Sequence, residues 1–481
     1  MTLSTATTVK NFGYLLDGRW AADGEVVEVH APYDHEVVAA ITYANRKAAE
    51  AAIAAATRAF ETTRRLPAYE RQRALRAVSE ALRARREEFA STLAREAGKP
   101  IRAARNEVDR AVFTFQVAAE EATRIGGEVL PLDLQPAATG RWAILRRFPI
   151  GPVSAIIPFN FPINLAAHKL GPAMAAGCSV ILKPPPQDPV STMMLGEVIQ
   201  AAGWPDGAVN ILPLSNDDAG PLVTDERIKL LTFTGSGSVG WELRKRAGHK
   251  KVVLELGGNA GCIVHSDADL AFAAERCVVG GFSYSGQSCI SVQRILVERS
   301  VLDKFLDLLV SGVSKLRLGD PLDEATDIGP MITEADALRT IEWVEEAVAS
   351  GARVLCGGKR HGSLVEPTVL TGTTANMRVN CQEIFAPVVT VEPYQDFAEA
   401  VRRVNDSPYG LQAGIFTRDT RVLFRAYEEL QVGGVIAGDI PSWRIDHMPY
   451  GGVKESGTGR EGLKWSIEEM TEPKLLVMNL Q

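Results

Sequence analysis

The chain has 481 residues, 46% of them hydrophobic and 23% charged, with a formal net charge of −7. This globular balance excludes a disordered or fibrous chain, and the length exceeds a single core, so two or three domains are expected. The acidic surplus excludes the basic footprint of a nucleic-acid binder.

The first stretch, Met1–Lys10, is polar and Thr-rich and lacks the apolar centre of a signal peptide. Nowhere does an apolar run reach the roughly 18 residues that span a bilayer. Arg46–Thr62 and Ala68–Glu96 are helical in pattern, and the basic cluster within Arg83–Lys99 reads as a solvated helix face. Glu128–Leu134 and Arg141–Phe148 flank a turn at Gln135–Gly140 and read as a hairpin.

From Val153 a βα rhythm sets in. Strands are expected at Val153–Ile157, Ser179–Leu182, Ala208–Leu212, Leu230–Thr234 and Lys251–Leu254, with helices such as Leu165–Ala176 and Met193–Ala202 between them. The alternation predicts an α/β fold with a parallel, doubly wound sheet. After Gly257-Gly258 the rhythm restarts, with strands at Cys262–His265, Gln293–Glu298, Val388–Pro393, Ala413–Thr417 and Gly434–Ala437 and helices at Val301–Leu316 and Asp396–Val404. The terminal run Lys474–Leu480 is a near-continuous apolar strand to be covered on both faces, and with the hairpin it suggests pairing with another subunit. The expected division is a cofactor domain over 1–126 and 149–256, a catalytic domain over 257–437, and a bridging element from 127–148 and 464–481.

Six cysteines, at 178, 262, 277, 289, 356 and 381, form no CxxC pair. Neither a disulfide frame nor a zinc site is indicated, and the chain reads as a soluble, cytoplasmic protein with reduced thiols and no metal. Cys178, Cys262 and Cys277 lie in apolar stretches and read as core thiols. Cys289 differs, because Gly286-Gln287-Ser288-Cys289 is a polar, glycine-bearing segment leading into a strand. With Glu255 of Leu254-Glu255-Leu256-Gly257-Gly258 and Asn160 of Pro158-Phe159-Asn160-Phe161-Pro162, it supplies a sulfur nucleophile, a carboxylate base and an amide donor for an oxyanion. Gly235–Gly240 matches GxGxxG between a strand and a helix, which leaves Glu255 two roles, ribose ligand or base. The match follows three earlier strands rather than opening the first βαβ unit, which favours the base.

These motifs, with Glu383-Ile384-Phe385, Pro387 and Pro449-Tyr450-Gly451-Gly452-Val453-Lys454, resemble the NAD(P)-dependent aldehyde dehydrogenase superfamily over essentially the full length. The resemblance implies a Rossmann-type cofactor domain, a second α/β catalytic domain and a small β element joining subunits into homodimers or homotetramers. It implies oxidation of an aldehyde to a carboxylic acid through a thiohemiacetal and thioester on Cys289. NAD or NADP would contact Ile157, Pro158, Phe159, Lys183, Pro186, Gly235, Ser236, Leu256, Glu383 and Phe385. Many NAD-preferring members carry Glu where this chain has Pro186, so NADP use is expected as well. Arg110, Arg444 and Ser288 border the substrate tunnel. The C-terminal stretch most resembles the subgroup that oxidises lactaldehyde, phosphonoacetaldehyde and glyceraldehyde phosphate. A short aldehyde with an anionic or hydroxyl group is therefore expected. Pairing of each arginine with a nearby acid (Glu107 or Asp446), a coenzyme A-acylating activity and a broad neutral-aldehyde activity remain open alternatives.

Overall fold

The computed structural model describes residues 10–480. The reading of Met1–Lys10 therefore lies, but for Lys10, outside the described residues.

One sheet has eight strands in the order Gly457–Thr458, Lys251–Glu255, Leu230–Thr234, Val153–Ile156, Val180–Lys183, Val209–Ile211, Tyr14–Leu16, Arg19–Ala21. Its five inner strands are parallel and the pieces at either end run antiparallel. Val153–Ile156 and Val180–Lys183 are buried at every position, as strands covered by helices on both faces must be. Chain order runs outward from Val153–Ile156 toward Val209–Ile211 on one side and from Leu230–Thr234 to Lys251–Glu255 on the other. The loops after Val153–Ile156 and Leu230–Thr234 thus diverge from neighbouring strands, and a crevice opens at their C-terminal ends.

A second sheet has seven strands, Arg353–Cys356, Thr368–Thr371, Val388–Tyr394, Arg294–Glu298, Gly261–Val264, Gln412–Phe416 and Gly434–Ala437, parallel except at the Arg353–Cys356 edge. The hairpin Gly127–Pro131 and Arg141–Pro149 is extended by the terminal strand Thr471–Asn479 into a separate antiparallel sheet. Leu475, Leu476 and Val477 on that strand stay about half exposed (47–57%).

Several expectations need correction. Ala68–Glu96 is two helices, Ala68–Ala84 and Arg86–Ala97, broken where Arg85 leaves helical geometry. The basic cluster is not wholly a solvated face, since Lys99 is fully buried. Leu463–Glu469 is a helix packed against the helices Ile101–Glu121 and Pro162–Ala176, so the last residues are helix then strand. The short strands before residue 44 and the long helix Ile101–Glu121 belong to no predicted element.

Candidate active site

Cys289 ends a segment of unusual backbone. Tyr284, Ser285 and Gly286 have φ of 49°, 55° and 68° in succession. A left-handed conformation at two non-glycine residues costs on the order of 1–3 kcal/mol each and must be held by its surroundings. Here the Ser285 hydroxyl donates to the Gly329 carbonyl at 2.7 Å, and the Gln287 side chain accepts from the Ile332 amide at 2.9 Å. The turn presents half-buried Ser288 and Cys289 to a cavity of about 470 Å³.

Asn160 reaches that cavity from the loop after Val153–Ile156. Its Nδ2 donates to the Gln287 carbonyl at 3.1 Å, which fixes the amide beside the cysteine turn and leaves its second N–H free. Its own carbonyl accepts from Lys99 Nζ at 2.7 Å. That lysine is paired with buried Glu107, and its ammonium lies 4.1 Å and 4.2 Å from the ring centroids of Phe161 and Tyr284. Glu107 in turn accepts from the Ile163 and Asn164 amides that open the next helix. One buried ion pair therefore sets the amide loop and the cysteine turn against each other.

Glu255 ends the Lys251–Glu255 strand and also lines the cavity. It is 3% exposed and neither oxygen has a hydrogen-bond partner. Burial, then the neighbouring Glu461, push its carboxyl well above the usual range, against the pull of Lys169 and the nearby arginines. Glu461 is the opposite case. It accepts from Lys169 at 2.7 Å and Arg444 at 3.3 Å, and despite burial these partners hold it ionised, at about 2. Of the two acids, Glu255 is the one that its surroundings favour in the neutral form. Burial pushes the Cys289 thiol up to about 11, with Glu383 and Glu255 adding to the shift and Tyr450 and Arg444 opposing it.

The residues expected to hold a cofactor gather at the crevice. Pro158, Phe159, Gly235, Ser236, Leu256, Glu383 and Phe385 line the cavity, whereas Ile157, Lys183 and Pro186 lie outside its lining, Lys183 as the last residue of its strand and the other two just beyond the strand ends. Ser236 caps the helix Gly237–Arg246 without a side-chain bond, which leaves first-turn amides open to an anion. Glu383 accepts from the Gly258 amide at 2.9 Å, and burial raises it to about 7. At Gly257 a Cβ would sit 2.2 Å from Glu383 Oε2 and displace that side chain; at Gly258 it would sit 2.7 Å from the Cys289 carbonyl, where backbone must give. Lys183 is 5% exposed and, among the described residues, makes no ion pair; burial lowers it to about 8. An open helix N-terminus, a carboxylate and an unpaired amine along one crevice fit a dinucleotide.

Both predicted arginines face the cavity, and both have acid partners. Arg110 grips Asp446 with two bonds of 3.0 Å and 2.8 Å, while Glu107 belongs to Lys99. Asp446 also accepts from Asn164 and His168. Burial alone would raise Asp446, yet His168 and Arg110 hold it well below the usual carboxylate range. Arg444 contacts Glu461 and His168, but its Nε is buried without a hydrogen-bond acceptor. Asp446 was expected from the sequence only as an acid partner for an arginine, and Tyr450, Lys169, Glu461 and His168 were given no role there. Tyr450 alone carried a signal there, inside the Pro449–Lys454 motif.

A family model described as the aldehyde dehydrogenase family matches residues 20–476. The chain is 45% identical to 3-sulfolactaldehyde dehydrogenase of Priestia aryabhattai over 479 residues, covering 99% of this chain and 100% of that one. The structure superposes on aldehyde dehydrogenase 21 of Physcomitrella patens in complex with the reaction product succinate, with a TM-score of 0.97, 46% identity and coverage of 98% and 99%. It also matches glyceraldehyde-3-phosphate dehydrogenase of Methanocaldococcus jannaschii complexed with NADP, with a TM-score of 0.92, 38% identity and coverage of 95% and 100%.

Proposed function

The chain belongs to the aldehyde dehydrogenase family, and from that premise we propose that it oxidises short aldehydes bearing an anionic head group. The reaction class is oxidation of an aldehyde to a carboxylic acid with NAD or NADP. One observation carries the assignment of residues: Cys289, Asn160 and Glu255 arrive from three separate elements at one cavity whose wall holds Arg444.

Cys289 sulfur attacks the aldehyde carbon, and the free Asn160 N–H with the Cys289 amide holds the oxyanion, one such donor supplying ~3–4 kcal/mol. Bound nicotinamide supplies the acceptor for the hydride. Glu255, deprotonated, takes a proton from water as that water attacks the thioester, and Cys289 leaves as the thiolate. A water-activating carboxylate argues against transfer to coenzyme A, and a product assay with and without coenzyme A checks this. Ser236 and the helix start would hold the pyrophosphate, Lys183 the adenosine ribose and Glu383 the nicotinamide ribose. With Pro186 in place of a carboxylate and Lys183 unpaired, a 2′-phosphate is accommodated, so NADP serves as well as NAD.

Arg444, which lines the cavity, holds the head group through its guanidinium, a planar cation suited to carboxylate, phosphonate or sulfonate. The names of the sulfolactaldehyde and succinate-bound relatives support this. The bond of Arg110 to Asp446 favours a second reading, a broad enzyme for neutral aldehydes. Kinetics on propanal and on sulfonated, phosphorylated and carboxylated C3 and C4 aldehydes, with both cofactors, separate the two. Arg444→Ala should lower kcat/KM for the anionic set alone; equal losses on propanal defeat the head-group role.

Exposed Leu475, Leu476 and Val477 favour a homodimer or homotetramer, which light scattering tests. Six unbridged cysteines favour the cytoplasm. No helix among the described residues is long and apolar enough to cross a membrane.

A further inference from the structure

Tyr450 of the Pro449–Lys454 motif stands in the cavity wall against the cysteine. Tyr450 is 3% exposed, and its hydroxyl lies 2.9 Å from Cys289 Sγ. The residue cannot drift. Its backbone exchanges two hydrogen bonds with Glu461, at 3.1 Å and 2.6 Å, and its ring packs with Ile290 and Leu411. The Arg444 guanidinium stands 3.7 Å from the ring centroid. A cation over a phenol face draws electron density from the ring and makes the hydroxyl a stronger donor. Behind it, Gly451 at φ 154° brings the chain close to the base, since a Cβ there would lie 2.9 Å from Glu255 Oε1. The motif thus sets a phenol donor and a carboxylate base around one sulfur.

We propose that Tyr450 is a catalytic residue that donates a hydrogen bond to the sulfur of Cys289 whenever that sulfur carries negative charge. The proposal rests on Cys289 being the nucleophile. In the resting thiol, S–H donates to the Tyr450 oxygen. When the S–H bond breaks, the proton passes to deprotonated Glu255, which releases it to solvent before deacylation; the electron pair stays on sulfur, and the hydroxyl rotates to donate in turn. Formation of the S–C bond uses that pair and releases the hydroxyl. In hydrolysis the C–S bond breaks, sulfur regains the pair, and Tyr450 donates again to the leaving group. The tyrosine O–H bond is never broken.

The charged groups facing the sulfur are Glu255 and Glu383, which oppose its ionisation, and Arg444, which favours it. Tyr450 is the uncharged donor among them, so its removal reads cleanly. The test is the pH dependence of iodoacetamide alkylation of the full-length enzyme, followed by mass spectrometry on the Cys289 peptide, in wild type and Tyr450→Phe. A hydrogen bond to a charged group is worth about one pH unit or more. The variant's midpoint should rise by at least about one unit, single-turnover deacylation should slow by about tenfold, and the NADP dissociation constant should stay unchanged. A merely structural tyrosine would leave the midpoint in place, and that result overturns the proposal. Failure of Cys289 to alkylate at any pH overturns the nucleophile assignment and the proposal with it. The infrared S–H stretch of wild type, identified by its loss in Cys289→Ala, gives a second measurement needing no change at Tyr450. A band at the hydrogen-bonded frequency supports the contact, and one at the free-thiol frequency refutes it.

Discussion

Asn160→Ala isolates the oxyanion donor better than any other change at the site. The Asn160 backbone is anchored by Lys99, so truncation removes the amide without moving the loop. Nδ2 has two hydrogens, one bonded to the Gln287 carbonyl and one free for the oxyanion. Losing one preorganised donor costs ~3–4 kcal/mol in the transition state, a drop of roughly 10²–10³ in the rate of acylation. The buried Gln287 carbonyl also loses its partner, a stability loss of about 1–3 kcal/mol that lowers the melting temperature without touching chemistry. Stopped-flow absorbance of the reduced nicotinamide, recorded well below the melting transition, reports the acylation burst. Asn160→Asp keeps the shape but places negative charge by the oxyanion, and should be slower still. An Asn160→Ala burst within about threefold of wild type, under half of the ~1.4 kcal/mol of a tenfold change, would show that the oxyanion is held elsewhere.

Glu255→Gln should retain the burst and lose about 100-fold or more in steady-state turnover, because only deacylation needs the base; equal loss of both phases contradicts the role. With Glu383 at about 7, its carboxylate takes a proton as pH falls through neutrality and binds ribose hydroxyls less well. Cofactor affinity should weaken about threefold from pH 8 to 6 in wild type and stay flat in Glu383→Gln, measured by fluorescence titration. Lys99→Met leaves Glu107 buried without its cation and should destabilise the fold by ~3–5 kcal/mol in urea unfolding; a loss below about 1 kcal/mol would mean that Glu107 finds another partner.

The sequence disclosed the parts that local chemistry marks. β-branched runs between helix-length spacers announce inner parallel strands, and a cysteine among Gly, Gln and Ser stands apart from cysteines in apolar runs. It did not disclose partnerships made across the chain. Lys99 looks like one more surface lysine until Asn160, Phe161 and Tyr284 close around it. Glu461 reads as an ordinary loop acid, though it is buried beneath Lys169 of the Pro162–Ala176 helix. The strands before residue 44 are two to seven residues long and owe their existence to partners such as Ile211 and Ala40, which no local pattern signals. Ala68–Glu96 looked like one helix because the break at Arg85 involves neither Gly nor Pro.

The Gly257-Gly258 step works as a fixed ruler. Glu383 rests on the Gly258 amide and the Cys289 carbonyl packs on the bare Gly258 Cα, so the proposed ribose ligand and the proposed nucleophile are gauged from one residue. A methyl group at Gly258 would therefore press on the backbone that carries Cys289, whereas one at Gly257 would displace only the Glu383 side chain.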